Sequence, residues 1–347
     1  MIGLLVGYPS LVSRALAEEL LRGDGEARLV MLVPEGLALA GSRASWPLAD
    51  IGRVELIEGD GSAIDFGLSG ADYARLADSI DFAVIAGMTA DPTAGEAAAR
   101  RNIGLAREVV EIAQAARGLK RVLWLSNLCV AGRVTDVFHE RDLNVGQGFD
   151  SEVEKSVATA ERMLERIAPN VGVTVLRTGH FTCRTDSGEV DRESVLFALS
   201  RTLLDLAPHA PLPRPIHADR RVPLVAVDYV ASIAVELLLE QDVSNRTLHL
   251  LDEGCPTLLE LMELVASQSG RRLERDPEAP AEHLLFTLNT LVSKRHVRSL
   301  LDAVGSRAAF DDTRVRALDT RVAHRSFSDY AERWMKSMLE EARQATP

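Results

Sequence analysis

The chain has little of what would assign it quickly. It holds only three cysteines, Cys129, Cys183 and Cys255, far apart and without metal-ligand spacing. That excludes a disulfide framework and an ordinary zinc site, and it reads as reduced thiols in a cytoplasmic protein. No apolar run reaches the roughly 20 residues that a membrane span needs. No basic segment with a cleavage site precedes the first apolar run, so no signal peptide is expected. Positive charge is in deficit, with a net charge of −12, so neither nucleic acid nor an anionic membrane is an expected partner. Internal repeats and low-complexity stretches are absent as well.

What the 347 residues do hold is enough apolar side chain (46%) for a large core, in one composite domain or two fused ones. The organising stretch is the N-terminus. Ile2 to Val6 is an apolar run of the kind found in buried parallel strands, Gly7 turns the chain, and from Ser10 the apolar residues recur at helical spacing. Strand, tight turn and helix open a dinucleotide-binding unit, in which the helix N-terminus faces a pyrophosphate. Two glycines of the fingerprint are missing: its three positions read Gly7, Ser10 and Ser13. The middle glycine lets backbone approach phosphate and the last lets helix approach strand, so two serines crowd the site while offering hydroxyls to a phosphate.

Strands then alternate with helices. Strands are expected over 27–33, 54–60, 82–86, 121–126 and 171–177, and helices over 71–79, 102–116 and 151–167. This rhythm predicts an α/β fold with a Rossmann-like, doubly wound parallel sheet over residues 1–177. Beyond Arg177 the rhythm breaks. Residues 178–347 read as a smaller, mostly helical, split substrate-side region, with 222–251 returning to the main sheet. Helices are expected over 194–206, 227–240 and 327–342, and a proline-rich loop carries Pro208, Pro211, Pro213 and Pro215. Tyr330 and Trp334, four apart, read as a packing stripe.

Several segments together resemble an extended short-chain dehydrogenase/reductase, and more narrowly the carrier-protein thioester reductases and fatty acyl-CoA reductases of the male-sterility type. These are Gly59-Asp60 with Phe66-Gly-Leu-Ser69, Asp81 to Gly87, Asn102, Arg177-Thr-Gly179 with Arg184 to Gly188, and Val222-Pro223 with Val227 to Ala231. The resemblance implies that Asp60 contacts adenine and that Asn102 stabilises the sheet centre. It also implies a homodimer built from the helices around 102–116 and 151–167.

At the catalytic positions the resemblance fails. These reductases use a Ser or Thr, a Tyr, and a Lys four residues after the Tyr; the tyrosine moves the proton and the lysine lowers its pKa. Here the strand-end motif is Ser126-Asn127-Leu-Cys-Val130-Ala-Gly132, with Asn127 in the hydroxyl's place. The helix motif aligns without gaps on Val153-Glu-Lys-Ser156-Val157-Ala-Thr-Ala160-Glu161, with valine at both the Tyr and Lys positions. A shifted register pairing Ser151 with Lys155 would turn the lysine about 200° around the helix, away from the site. Where related reductases carry an Arg for a 2′-phosphate, this chain has Glu35, which suits a ribose hydroxyl and hence NAD, or else is a surface turn residue.

The expectation is therefore no cofactor, or weakly bound NAD(P), at Gly7, Ser10, Ser13, Glu35 and Asp60. The candidate catalytic groups are Asn127, His180, Glu152 and Cys183, with Cys129, Glu140 and Asp142 nearby. Asn127 would donate to a carbonyl oxygen or oxyanion, and His180 would act as a base. Three readings remain. One is a redox-neutral reaction (cyclisation, condensation, elimination or acyl transfer) on a small-molecule or carrier-protein-bound acyl substrate in secondary metabolism. The second is an NAD(P)-dependent reductase with an unusual proton donor. The third is an inactive binding partner.

Overall fold

The computed structural model describes residues 1–23, 25–35, 51–167, 171–206, 210–239, 245–274, 288–318 and 320–344. The segment following Glu35 and Pro208 of the proline-rich loop lie outside them. Seven strands form one parallel sheet: β1 (Ile2–Val6), β2 (Arg28–Val33), β3 (Val54–Glu58), β4 (Phe82–Ile85), β5 (Arg121–Asn127), β7 (Gly172–Thr178) and β10 (Arg246–Leu250), in the order β10-β7-β5-β4-β1-β2-β3. Leu4, Leu5, Ala83 and Ile85 are fully buried because helices cover both faces, which is why these strands read as unbroken apolar runs. The order reverses between β1, which pairs with β2 on one side, and β4 on the other. In doubly wound sheets ligands bind in the crevice beyond the strand ends at that reversal.

One face of the sheet is covered by α1 (Leu11–Gly23) and by α6 (Val227–Leu239), which pack on each other. The other is covered by α2 (Gly70–Ser79), α3 (Gly95–Ala115) and α4 (Glu152–Leu164), where Leu76, Leu105, Val109, Ile112, Ala160 and Leu164 share one apolar cluster. The helix expected from Asn102 starts seven residues earlier, at Gly95. Its first two turns, rich in Ala and Arg, favour helix by propensity and carry no long apolar stripe for periodicity to find. The start of α4 is set by Ser151, whose Oγ accepts the Glu154 N–H at 3.1 Å.

Outside the main sheet lie two short parallel pairs. Strand β8 (His180–Phe181) lies beside β9 (Leu224–Val225), and β6 (Val137–Phe138) beside β11 (Ala309–Phe310). Helices α5 (Val195–Leu204), α7 (Leu258–Ser269), α8 (Leu288–Val304) and α10 (Ala331–Gln344) gather around α5 and α10, with the short α9 (Thr313–Arg316) between the last two. Tyr330 and Trp334 are buried, each ring 5.6 Å from Phe327. Among the described residues no helix is long and apolar enough to cross a membrane.

Candidate functional site

A cleft of about 1290 Å³ opens at the C-terminal ends of β1, β4, β5 and β7, at the reversal of strand order. Its floor at β1 is Gly7, whose φ of +123° suits glycine; a Cβ there would lie 2.5 Å from the Ala86 backbone. Strand β1 can approach β4 at this level only with glycine in place.

The loop that follows is closed on itself. The Ser10 N–H donates to the Gly7 carbonyl at 3.1 Å, and Ser10 Oγ accepts the Ser13 N–H at 3.3 Å, so Ser10 caps α1. Ser13 Oγ donates back to the Ser10 carbonyl at 2.8 Å, and Ser13 is fully buried. Pro9 has no N–H to offer. Ser10 lines the cleft, whereas Ser13 lies behind it. The expectation that both hydroxyls reach a phosphate is corrected for Ser13, whose hydroxyl is turned into its own helix.

Glu35 and Asp60 stand at the ends of β2 and β3, exposed and lining the cleft. Asp60 Oδ1 accepts the Ser62 N–H and Oγ–H, both at 2.8 Å. The turn after it holds Asp65 and Phe66 at φ of 52° and 56°, and the buried Glu108 accepts the Asp65 N–H at 2.8 Å.

At the opposite end Asn127 closes β5. Its Oδ1 accepts the Cys129 N–H at 2.8 Å, which leaves the side-chain NH2 to face the cleft. His180, on β8, also lines the cleft, with the Val304 carbonyl beside its ring. Burial lowers its pKa to about 4, against the opposing pull of that carbonyl and Asp91, so the imidazole is neutral at pH 7. Two other candidates are not brought to the site. Glu152 is exposed on the outer side of α4 and pairs with Lys155 at 3.4 Å. It precedes Val153 by one position, and one position on a helix is about 100° of rotation. Cys183 is 1% exposed, outside the cleft, and burial pushes its thiol up to about 12. That is the opposite of an activated nucleophile. Burial likewise raises Cys129, with Glu154 and Glu161 adding to it. Glu140 is structural: its two oxygens accept the His249 and Arg314 N–H groups at 3.0 and 2.9 Å.

Val153 and Val157 are both fully buried. Val153 packs on Ala98 and Ala99, and Val157 among Val130, Phe138 and Ala308. Around them the framework residues are joined. Asn102 Nδ2 donates to the Thr89 carbonyl at 2.8 Å and to Ser156 Oγ at 2.9 Å. Glu161 receives the Ser126 hydroxyl and the Arg177 guanidinium. Arg101, on α3, also lines the cleft. The sequence reading missed it, although its place one turn before the apolar Leu105 was a signal to find it.

A dinucleotide laid over this reversal meets two unlike walls. The adenosine end fits: Glu35 and Asp60 are at hand for hydroxyls and base edge, and a Cβ on Gly61 would fill the space against Val6 at 2.8 Å. The phosphate end fits less well, because the Ser10 and Ser13 amides are engaged within the loop. Six carboxylates line the cleft (Glu35, Glu58, Asp60, Asp91, Asp191 and Glu193), and Arg101 is the one Arg or Lys among the described residues there. No group of His, Cys, Asp and Glu among the described residues could hold a metal ion.

A family profile described as male sterility protein, with an NAD-binding domain, matches residues 11–234. No curated protein matches the chain. Among solved structures, the terminal R domain of the myxalamid PKS-NRPS biosynthetic pathway is similar at 21% identity and TM-score 0.77, over 100% of this chain and 91% of that one. The reductase domain of a nonribosomal peptide synthetase from Mycobacterium tuberculosis is similar at 18% identity and TM-score 0.71, over 98% and 92%. UDP-glucuronic acid 4-epimerase from Bacillus cereus, in complex with NAD, is similar at 12% identity and TM-score 0.67, over 100% and 98%. These likenesses bear on the fold; the family match, over residues 11–234, shows that the chain belongs to the male sterility protein family.

Proposed function

We propose that this chain acts on a small acyl group, free or carrier-protein-bound, without the tyrosine–lysine proton relay of its family and by a redox-neutral reaction such as cyclisation, condensation, elimination or acyl transfer. One observation carries the reading: the two positions that hold Tyr and Lys in the family motif are Val153 and Val157, buried in apolar contacts on a helix whose Ser156 and Glu161 keep their framework partners. Valine has no proton to transfer and no charge to tune a neighbour. What remains at that end of the cleft is a hydrogen-bond donor, the Asn127 NH2, and a neutral imidazole, His180. The first stabilises a developing oxyanion and the second accepts a proton at the neighbouring carbon or heteroatom. The substrate class follows from the named relatives, which are reductase domains of PKS and NRPS systems. Nicotinamide nucleotide, which supplies hydride where it is bound productively, is held weakly here, through Glu35 and Asp60.

The test is calorimetric titration with NADH and NADPH, followed by incubation with acyl-pantetheine thioesters with and without nucleotide. The expected result is a product at unchanged oxidation level, formed equally in both. Nucleotide oxidation coupled to release of aldehyde or alcohol overturns the reading in favour of a reductase with an unusual proton donor. No turnover of any thioester, with substrate still bound, overturns it in favour of a binding role.

A further inference from the structure

We infer that Arg101 is the phosphate anchor of the cleft, taking the place of the loop amides that Ser10 and Ser13 have withdrawn. The inference rests on reading the cleft as a ligand site and adds the chemical group that it holds.

The loop at β1 cannot present a full set of N–H groups: Pro9 has none, the Ser10 N–H is given to Gly7, and the Ser13 N–H to Ser10 Oγ. An anion entering the cleft also meets the six carboxylates that line it. Arg101 is the only Arg or Lys in the lining among the described residues, it is exposed, and it forms no ion pair with any of them. Its placement is fixed from both sides. The next residue, Asn102, is buried and bonded to the Thr89 backbone through both Oδ1 (3.1 Å) and Nδ2 (2.8 Å), which sets the rotation of α3. One turn further, Gly104 sits so close to the Asp60–Ser62 turn that a Cβ would lie 2.5 Å from the Ser62 carbonyl. Leu105 lies against Gly61 and Gly87, the latter facing Gly7. Residues three and four apart share a helix face, and side chains lean toward the helix N-terminus. Arg101 therefore emerges on the side of α3 that looks over the gap between the Gly7 loop and the Asp60 turn. A guanidinium there offers a planar fork matched to a phosphate's oxygens.

Two ligands bring phosphate to such a gap, the pyrophosphate of a dinucleotide and the phosphodiester of a phosphopantetheine arm. The experiment measures binding, on the full chain, of NADH and of 4′-phosphopantetheine, with adenosine and pantetheine as phosphate-free controls, to wild type, Arg101→Gln and Arg101→Lys. In Arg101→Gln at least one phosphate-bearing probe is expected to bind roughly tenfold more weakly, with partial recovery in Arg101→Lys and unchanged binding of the controls. Which probe responds identifies the source of the phosphate. Equal binding of both probes to wild type and Arg101→Gln overturns the assignment, as does wild type binding neither of them. Nucleotide-dependent reduction of a thioester would overturn the redox-neutral reading and leave the Arg101 result standing.

Discussion

The Arg177 guanidinium grips the Glu161 carboxylate by a fork, Nη2 to Oε2 at 2.8 Å and Nε to Oε1 at 3.1 Å, with both side chains no more than 2% exposed. Ser126, at the end of β5, donates to the same carboxylate, and the guanidinium faces His249 on β10 at 3.3 Å. The pair thus ties α4 to three adjacent strands directly behind the cleft. Removing one partner leaves the other charge buried and alone, which costs about 3–5 kcal/mol, whereas replacing both by apolar groups costs far less. Arg177→Met is expected to lose that amount in urea unfolding, and Arg177→Met/Glu161→Leu to recover most of it. Equal losses in the two would show that the ion pair itself, rather than the orphaned charge, sets the stability.

Asp252 predicts how stability depends on pH. It follows β10, is 2% exposed, donates its backbone N–H to the Leu224 carbonyl, and receives the Tyr330 hydroxyl, which also meets Thr182 at 3.0 Å. Its Oδ1 makes no hydrogen bond among the described residues. Burial raises its pKa to about 7; Asp228 adds to the rise, while the Tyr330 hydroxyl, the Ala226 N–H and Arg325 oppose it. The folded state therefore holds a proton that the unfolded chain has released from about pH 4 upward. This contribution to stability is whole below the unfolded pKa, falls as pH rises toward 7, and is lost above it. The melting temperature of wild type should drop between pH 5 and 8 relative to Asp252→Asn; parallel curves for the two would refute it.

Asn127 and His180 predict the activity profile. Asn127→Ala and His180→Ala are each expected to lower turnover of the proposed acyl substrate at least about tenfold with circular dichroism unchanged. Because burial holds His180 at about pKa 4, wild-type turnover should be level across the neutral range and fall only in acid, where protonation removes the acceptor. A fall centred near pH 6.5 would mean that His180 is solvated in the working state, and full activity in both variants would remove the pair from the chemistry.

The seven-strand sheet and its flanking helices were legible because strands buried on both faces and amphipathic helices each leave a period in the sequence. Gly7 and Asp60 were legible as local motifs. Where a side chain points was not. Glu152 and Val153 are neighbours in one motif, yet one faces water and the other the core. His180 and Cys183 are three apart, yet one lines the cleft and the other sits under the helices. The left-handed pair Asp65–Phe66 left no sign, since nothing in two ordinary residues announces a positive φ; their turn is held by the Phe66 carbonyl bonding the Asp60 N–H at 2.8 Å and by Glu108 from α3. Ser10 and Ser13 were visible as departures from glycine, but that they would bond each other depends on the three-residue spacing of a helix cap, which a glycine fingerprint does not encode.

That cap makes the final prediction. If the serines keep the loop closed, Ser10 Oγ by engaging the Ser13 N–H and Ser13 Oγ by bonding the Ser10 carbonyl, then Ser10→Gly/Ser13→Gly should reopen it. The first change removes the oxygen that holds the Ser13 N–H, and the second removes the hydroxyl that bonds the Ser10 carbonyl. Replacing a serine cap by glycine costs a few tenths of a kcal/mol, and glycine in the first turn adds somewhat less than its roughly 1 kcal/mol interior penalty, so the double variant should stay folded at a cost of about 1 kcal/mol. One freed amide and an unobstructed approach to the helix N-terminus are worth up to about 1 kcal/mol toward a phosphate. NADH affinity should therefore rise by roughly fivefold, while binding of phosphate-free adenosine stays constant. An unchanged NADH affinity would mean that the cleft's carboxylates, not the serines, weaken the nucleotide, and neutralising Glu58 by Glu58→Gln would then be the change that restores it.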